Sequence, residues 1–392
     1  MISLTPYKAV LATGELRVLF AASVIGRVPV GMSGLAILLL VQEASDSFAT
    51  GGAATGCYVA GLACVAPIIG RIIDRSGPRA VLTACAFLFP TALAALLGAV
   101  AAKTGALAIF AFAALAGASF PPISVCMRTY LRQRMANEAL LSTAYSLDSV
   151  LVETMFIIGP LLVALFVAFV SAKAAVWFAA ACALLGVFLF LGSAALRAWR
   201  IEAPAHATLL GPLAQPRFVA LIAIVLCYAL AFGLAELGVA AHAAEAGRPA
   251  LAGVFLGLMS IGSAAGGLAY GSGRWHAPLL HQFATVLGIM GVGLAVLAAS
   301  WSLLVFASLC VAAGVVMAPA LIIQSMLVAK MAKPEQTTEA FTWATSALLA
   351  GVGLGMAVGG IAAEAWRSAA AFALAGAAAV SAAAAAFWLA RR

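Results

Sequence analysis

Gly70-Arg71-Ile72-Ile73-Asp74-Arg75-Ser76-Gly77-Pro78-Arg79 is a charged hairpin set between two long apolar runs. On its left an apolar segment climbs from about Phe48 to Ile73; on its right another runs from Ala80 to about Ala102. Each is near the ~20 residues with which a helix spans a bilayer, so the hairpin belongs at a membrane surface. Gly77 permits a tight reversal, Asp74 is placed to face the positive end of a neighbouring helix, and Arg71, Arg75 and Arg79 suit a cytoplasmic surface.

The rest of the chain extends this reading. Hydrophobic residues make up 65% of its 392 residues and charged ones 9%, with 37 Gly and 15 Pro, a composition no soluble domain of this length needs. The net charge of +8 comes from basic residues gathered in short loops between apolar runs. That distribution serves membrane topology and excludes nucleic acid as the partner. Cys57, Cys64, Cys85, Cys126, Cys182, Cys227 and Cys310 are scattered through apolar runs and read as small buried hydrophobes. The nearest approach to a phosphate loop, Gly98 to Lys103 and Thr104, has Ala102 where a second glycine is required. His206, His242, His276 and His281 lack metal spacing. The expectation is a membrane protein that is not an enzyme and carries no cofactor and no metal.

Apolar runs broken by charged or Gly/Pro-bearing loops predict an all-α polytopic protein of about twelve spans. In the first half these are 17–41, 48–72, 80–102, 106–130, 140–168 and 174–196; in the second, 218–243, 250–272, 279–297, 301–329, 338–362 and 367–389. The first run is too long for the core of a cleavable signal peptide and stays as a span. A polar linker, 197–217, separates a first bundle, 1–196, from a second, 218–392. With the N-terminus inside, sixteen basic residues fall on the cytoplasmic side and four on the other, Lys103, Lys173, Arg248 and Arg367, leaving Arg27 within a span. Both termini are therefore expected in the cytoplasm. Shifting the sequence by 196 residues lays Gly70, Ser76 and Gly77 on Gly266, Ser272 and Gly273, Gly159 on Gly355 and Arg128 on Gln324. This internal repeat predicts two pseudo-symmetric six-helix bundles. Asp74 falls on Tyr270, so only the first hairpin is charged.

The pattern Gly-x-x-x-Asp-Arg-x-Gly-x-Arg resembles the signature loop between the second and third helices of the major facilitator superfamily of secondary transporters. Pro78 stands where that family usually has a further basic residue. The resemblance implies a latch, Gly70, Asp74, Arg75, Gly77 and Arg79, that holds the two halves in one facing state; Arg128, at the cytoplasmic end of the fourth span, reads as its partner or as a topology charge. Gly159-Pro160 in the fifth span resembles the core of the family's antiporter sequence, with Val163 and Ala164 in place of its closing glycines and Met155 in place of an earlier one. By itself a proline there is also a plain kink.

Ionisable residues deep in apolar spans are the candidate working parts, since each costs at least ~2.5 kcal/mol at mid-bilayer unless paired or watered. They are Arg27, Asp148, Glu153 and Glu236. Arg27 lies roughly 15 Å from the start of its span, and Ser23, Gly31 and Gly34 share its helical face. Ser142, Ser149 and Glu153 form one polar stripe flanked by Tyr145, whereas Asp148 points about 140° away from Glu153. One reading makes Glu153 the proton-carrying or substrate-contacting acid of a central cavity, with Arg27 as its partner. The other makes Arg27 with Glu153 or with Asp148 a permanent pair that fixes packing. Glu236, after Tyr228, Phe232 and Gly233, is the second half's candidate. Glycines spaced by fours in the eighth and eleventh spans read first as packing surfaces.

Taken together, these features predict a monomeric inner-membrane transporter moving a small molecule by alternating access, with protons as the coupling partner and export first in line. Uniport and proton-driven uptake are alternatives. A lipid flippase or a non-transporting sensor represents another class.

Overall fold

A computed structural model describes residues 5–12, 14–45, 48–135, 137–197, 199–201, 211–248, 251–299 and 302–391. Among these residues it contains helices and turns and no strand. A short helix α1 (Thr5–Val10) precedes α2 (Gly14–Ser45), α3 (Phe48–Ser76), α4 (Pro78–Ala101), α5 (Ala106–Ala118), α6 (Ile123–Arg134), α7 (Glu138–Phe169) and α8 (Ala172–Gly192). One turn, α9 (Ala194–Arg197), then leads to a second set, α10 (Pro216–Glu245), α11 (Leu251–Ser272), α12 (Leu279–Val296), α13 (Leu303–Gly314), α14 (Met317–Met331) and α15 (Thr337–Arg391). Eleven stretches of the described chain are helical, long and apolar enough to cross a membrane. The last of them holds two crossings, because Trp366 and Arg367 leave helical geometry midway along it.

The local chemistry explains most of the ends. Asn137 starts α7 by accepting from the backbone N–H groups of Ala139 (2.9 Å) and Leu140 (3.2 Å). Gly77, at φ 80°, lets the chain turn before Pro78 opens α4. Two spans read as single helices are broken. The stretch 106–130 divides into α5 and α6 because Pro121 and Pro122 bring no N–H to the ladder. The stretch 301–329 divides into α13 and α14 at Val315–Val316, where Pro319 cannot donate to the Val315 carbonyl four residues back.

Glycines set how closely these helices lie. A β-carbon on Gly31 of α2 would collide with the Met155 carbonyl of α7, and one on Gly159 would collide with Gly31 in return. Gly26 and Gly186 join α2 to α8 in the same way, and Gly351 and Gly355 seat α15 on the backbone of α10. Gly262 and Gly266 of α11 do so against α13. Gly253, Gly257, Gly353 and Gly360 have open space beside them, so the glycine stripes are only partly packing surfaces.

The halves are joined unevenly. The end of the molecule carrying the Gly70–Arg79 hairpin shares one apolar core with the second half, including Leu19, Ile73, Tyr145, Phe218 and Phe341. Towards the opposite end the first half closes on a core of its own, built from Met32, Leu40, Phe89, Leu96, Ile109 and Val176 among others, with no second-half residue in it among the described residues.

Candidate translocation site and gate

Midway along α2, Arg27 is 1% exposed, and its Nη2 lies 2.5 Å from Oδ1 of Asp148 on α7, which is fully buried. Nε of Arg128, from α6, donates to the other oxygen of the same carboxylate at 2.8 Å. One carboxylate thus serves two guanidiniums, and Nε and Nη1 of Arg27 are buried with no hydrogen-bond partner. Asp148 satisfies the counterion need that its low-dielectric surroundings impose on Arg27. The side chain of Glu153 lies outside the described residues; its backbone continues α7. Of the pairings open to Arg27, the structure makes the one with Asp148. Arg128, grouped with the latch by sequence, places its Nε on that same carboxylate within its own half.

Around this cluster, Ser149 is buried with its Oγ unpartnered. Tyr145 donates to the Arg128 carbonyl (3.2 Å) and sets its ring edge-on to Phe341 of the second half, 6.2 Å between centroids. In the second half, Tyr228 of α10 donates to Oε1 of Gln324, the residue that stands where the repeat places Arg128. Phe232 packs edge-on against Tyr228. Glu236 is exposed on α10 and forms no ion pair among the described residues. Gly159 is the contact point of α7 with α2, and Pro160 sits inside α7 without ending it.

At the hairpin end the two halves are fastened by caps placed across the boundary between them. Asp74 accepts from the backbone N–H groups of Thr338 (2.8 Å) and Glu339 (2.7 Å), so its carboxylate sits on the N-terminus of α15. An anion there meets both the free N–H groups and the positive end of the helix dipole. Arg71 pairs with Glu339 at 2.6 Å. Arg132 donates to the carbonyls of Ala329 (2.6 Å) and Ala332 (3.0 Å) at the end of α14, and to Oγ1 of Thr337 (2.7 Å). A cation at a helix C-terminus is the complementary arrangement. Thr143 and Ser146 of α7 donate to the carbonyls of Gly271 (2.8 Å) and Gly267 (2.6 Å) near the end of α11.

Two glycines make these contacts possible. A β-carbon on Gly70 would collide with Thr342 of α15, and one on Gly271 would collide with Ser146. Thr342 stands 196 residues after Ser146, so the repeat is visible in the gate itself. Gly211, at φ 52°, brings the linker turn Gly211–Ala214 onto the Glu339 carboxylate, where a β-carbon would not fit. Arg75 and Arg79 are exposed and hold no ion pair among the described residues. Side-chain hydrogen bonds from Tyr7, Arg71, Arg132, Thr143, Ser146 and Asp74 join the halves at the hairpin end, and Ser346 donates to the Ala63 carbonyl midway along α3.

The profile of the Major Facilitator Superfamily matches residues 19–321. The chain belongs to that superfamily. No curated protein matches its sequence significantly. Its fold is similar to that of a bacterial homologue of the iron transporter ferroportin in an outward-facing state, with TM-score 0.80 and 13% identity over 96% of this chain and 99% of that one. It is also similar to the human organic anion transporter MFSD10 (TM-score 0.73, 17% identity, 94% and 98% covered). A third is the E. coli fucose:proton symporter (0.74, 12%, 95% and 98%). At these identities the likeness is one of fold.

For a member of this superfamily, the gate residues that sequence reasoning missed are Arg132, Thr143, Ser146, Thr338 and Glu339. A signal existed for some of them. Arg132 lies four residues after Arg128 on one face of α6, and Thr337-Thr338-Glu339 after Pro334 is a helix-start pattern. Thr143 and Ser146 carry no local signal, because the carbonyls they reach lie on another half of the chain.

Proposed function

We propose that this secondary transporter couples the movement of a small molecule to protons, exporting it across the inner membrane with both termini in the cytoplasm. The observation that carries this reading is the buried Arg27–Asp148–Arg128 cluster at mid-span, beside Glu153 on α7, in a molecule fastened at the hairpin end. Ionisable groups kept at mid-bilayer are costly and are retained where charge moves. Glu153 is the proposed proton carrier, Tyr145 and Ser149 border its path, and Glu236 is the second half's contribution. The bundles 1–196 and 218–392 rock about this level, with 197–217 as their tether.

One observation favours a second reading, proton-driven uptake of an anion: the unpartnered Nε and Nη1 of Arg27, in a cluster where two guanidiniums share one carboxylate. Purified protein in proteoliposomes under an imposed pH gradient tests both. Ligands are first found by thermal shift with anionic, cationic and neutral small molecules, where a compound at ~100 times its dissociation constant stabilises by about 2.7 kcal/mol. The expected outcome is pH-driven flux that Glu153→Gln abolishes while the variant stays folded. Full flux in Glu153→Gln rejects the proton role, and exclusive binding of anions with inward flux selects the second reading.

A further inference from the structure

One fastening at the hairpin end comes from the short helix that precedes the first span. Helix α1 lies at the hairpin end against α7 and α11. Its Tyr7 is 6% exposed, and the phenol donates to the Leu268 carbonyl of α11 at 2.7 Å while lying 2.9 Å from Oγ of Ser146 on α7. Ser146 in turn donates to the Gly267 carbonyl. A β-carbon on Gly271 would crowd both the Ser146 side chain and the Tyr7 hydroxyl, so the phenol fills the seam between the two helices at this level. Val10, one turn on, is 2% exposed, whereas Lys8 between them is exposed. Burial raises the Tyr7 phenol above its ordinary value, so it stays protonated and keeps donating.

We infer that α1 is a bolt: Tyr7 spans the seam between α7 and α11, and the halves part at the hairpin end only when it withdraws. The inference rests on the alternating-access reading and concerns only the closed gate, whatever the cargo or coupling ion. The α3–α15 side of the gate is held by charge, through Asp74 and Arg71. On the α7–α11 side the hydroxyls of Thr143 and Ser146 donate to the α11 carbonyls, and there the N-terminal segment adds Tyr7. Anything that engages residues around the exposed Lys8 and draws α1 away releases that side, which makes the segment a place where opening is regulated.

The test reads gate opening directly, without substrate. Spin labels are placed on cysteines at Ser76 and His276, both outside the core at the hairpin end and in opposite halves, with Cys57, Cys64, Cys182 and Cys227 replaced by alanine. Distances are measured in the full chain, in an otherwise wild-type background and with Asp74→Ala, which loosens the other side of the gate. Tyr7→Phe keeps the ring and removes the bridging hydroxyl. It is expected to raise the ratio of long to short distances about five- to thirty-fold, the range for one or two lost hydrogen bonds. Tyr130→Phe is the control, since that phenol bonds Glu15 within one half (2.5 Å) and its loss is expected to leave the distribution unchanged. Unchanged distances for Tyr7→Phe in both backgrounds, or an equal shift in Tyr130→Phe, overturn the bolt. Loss of transport with unchanged distances bears on the coupling proposal and also counts against the bolt.

Discussion

Asp148 carries more than any other side chain in the first half. It is fully buried, pairs with Arg27 and accepts from Arg128 at once, so removing its charge leaves two guanidiniums without a counterion. Breaking a buried pair by deleting one partner costs about 3–5 kcal/mol. Asp148→Asn is therefore expected to lower stability by that order in thermal unfolding of the detergent-solubilised protein, far more than any change at exposed Glu236. A loss below ~1 kcal/mol would show that the cluster is solvated by water. Composition and span position made Arg27 and Asp148 legible as costly residues. Their pairing was not legible, because helix geometry fixes directions about one axis and says nothing of which neighbour lies alongside.

At the scale of elements, the glycines separate into two groups that a spacing pattern cannot tell apart. Gly31 and Gly159 let the backbones of α2 and α7 touch, and a side chain at either position must push the helices apart. Gly353 lies on the same helix as the tightly packed Gly351 and Gly355 yet has nothing beside it. Gly31→Ala is expected to destabilise by about 1–3 kcal/mol through overpacking. Gly353→Ala is expected to be neutral or to gain up to ~1 kcal/mol through helix propensity. Parallel melting curves check the contrast; equal effects would mean that the helices slide to absorb a methyl group. The broken fourth and tenth spans have the same lesson in reverse, since Pro121, Pro122 and Pro319 stood in the sequence as signals and were outweighed there by unbroken hydropathy.

At the scale of the whole molecule, closure at the hairpin end is a set of caps across a boundary. Asp74 ends the unsatisfied N–H groups of α15, and Arg132 ends the carbonyls of α14. Losing a cap costs about 0.5–2 kcal/mol. Because the helices themselves survive, that cost falls on the closed state alone. Asp74→Ala and Arg132→Gln are each expected to shift the population toward opening at the hairpin end, about two- to thirty-fold, with little change in melting temperature. Labelling of an introduced cysteine at Ser346, buried at the Ala63 contact, reads the shift. A fall in melting temperature without added labelling would place these residues in the fold and not in the gate.

By itself, the sequence determined that the chain is a membrane protein of about twelve helices with a repeated half, and that Arg27 and Asp148 are ionisable residues held inside apolar spans at a cost. Those conclusions follow from hydropathy, spacing and the desolvation of charge, which are properties of the chain in order. Only the tertiary structure decided that Asp148 pairs with Arg27, that Nε of Arg128 binds the same carboxylate while Arg132 reaches across, and that Tyr7 enters the seam between α7 and α11. Each of those contacts joins helices through the ends or faces they present to one another, and that presentation is fixed by how the helices pack, after the helices themselves are specified.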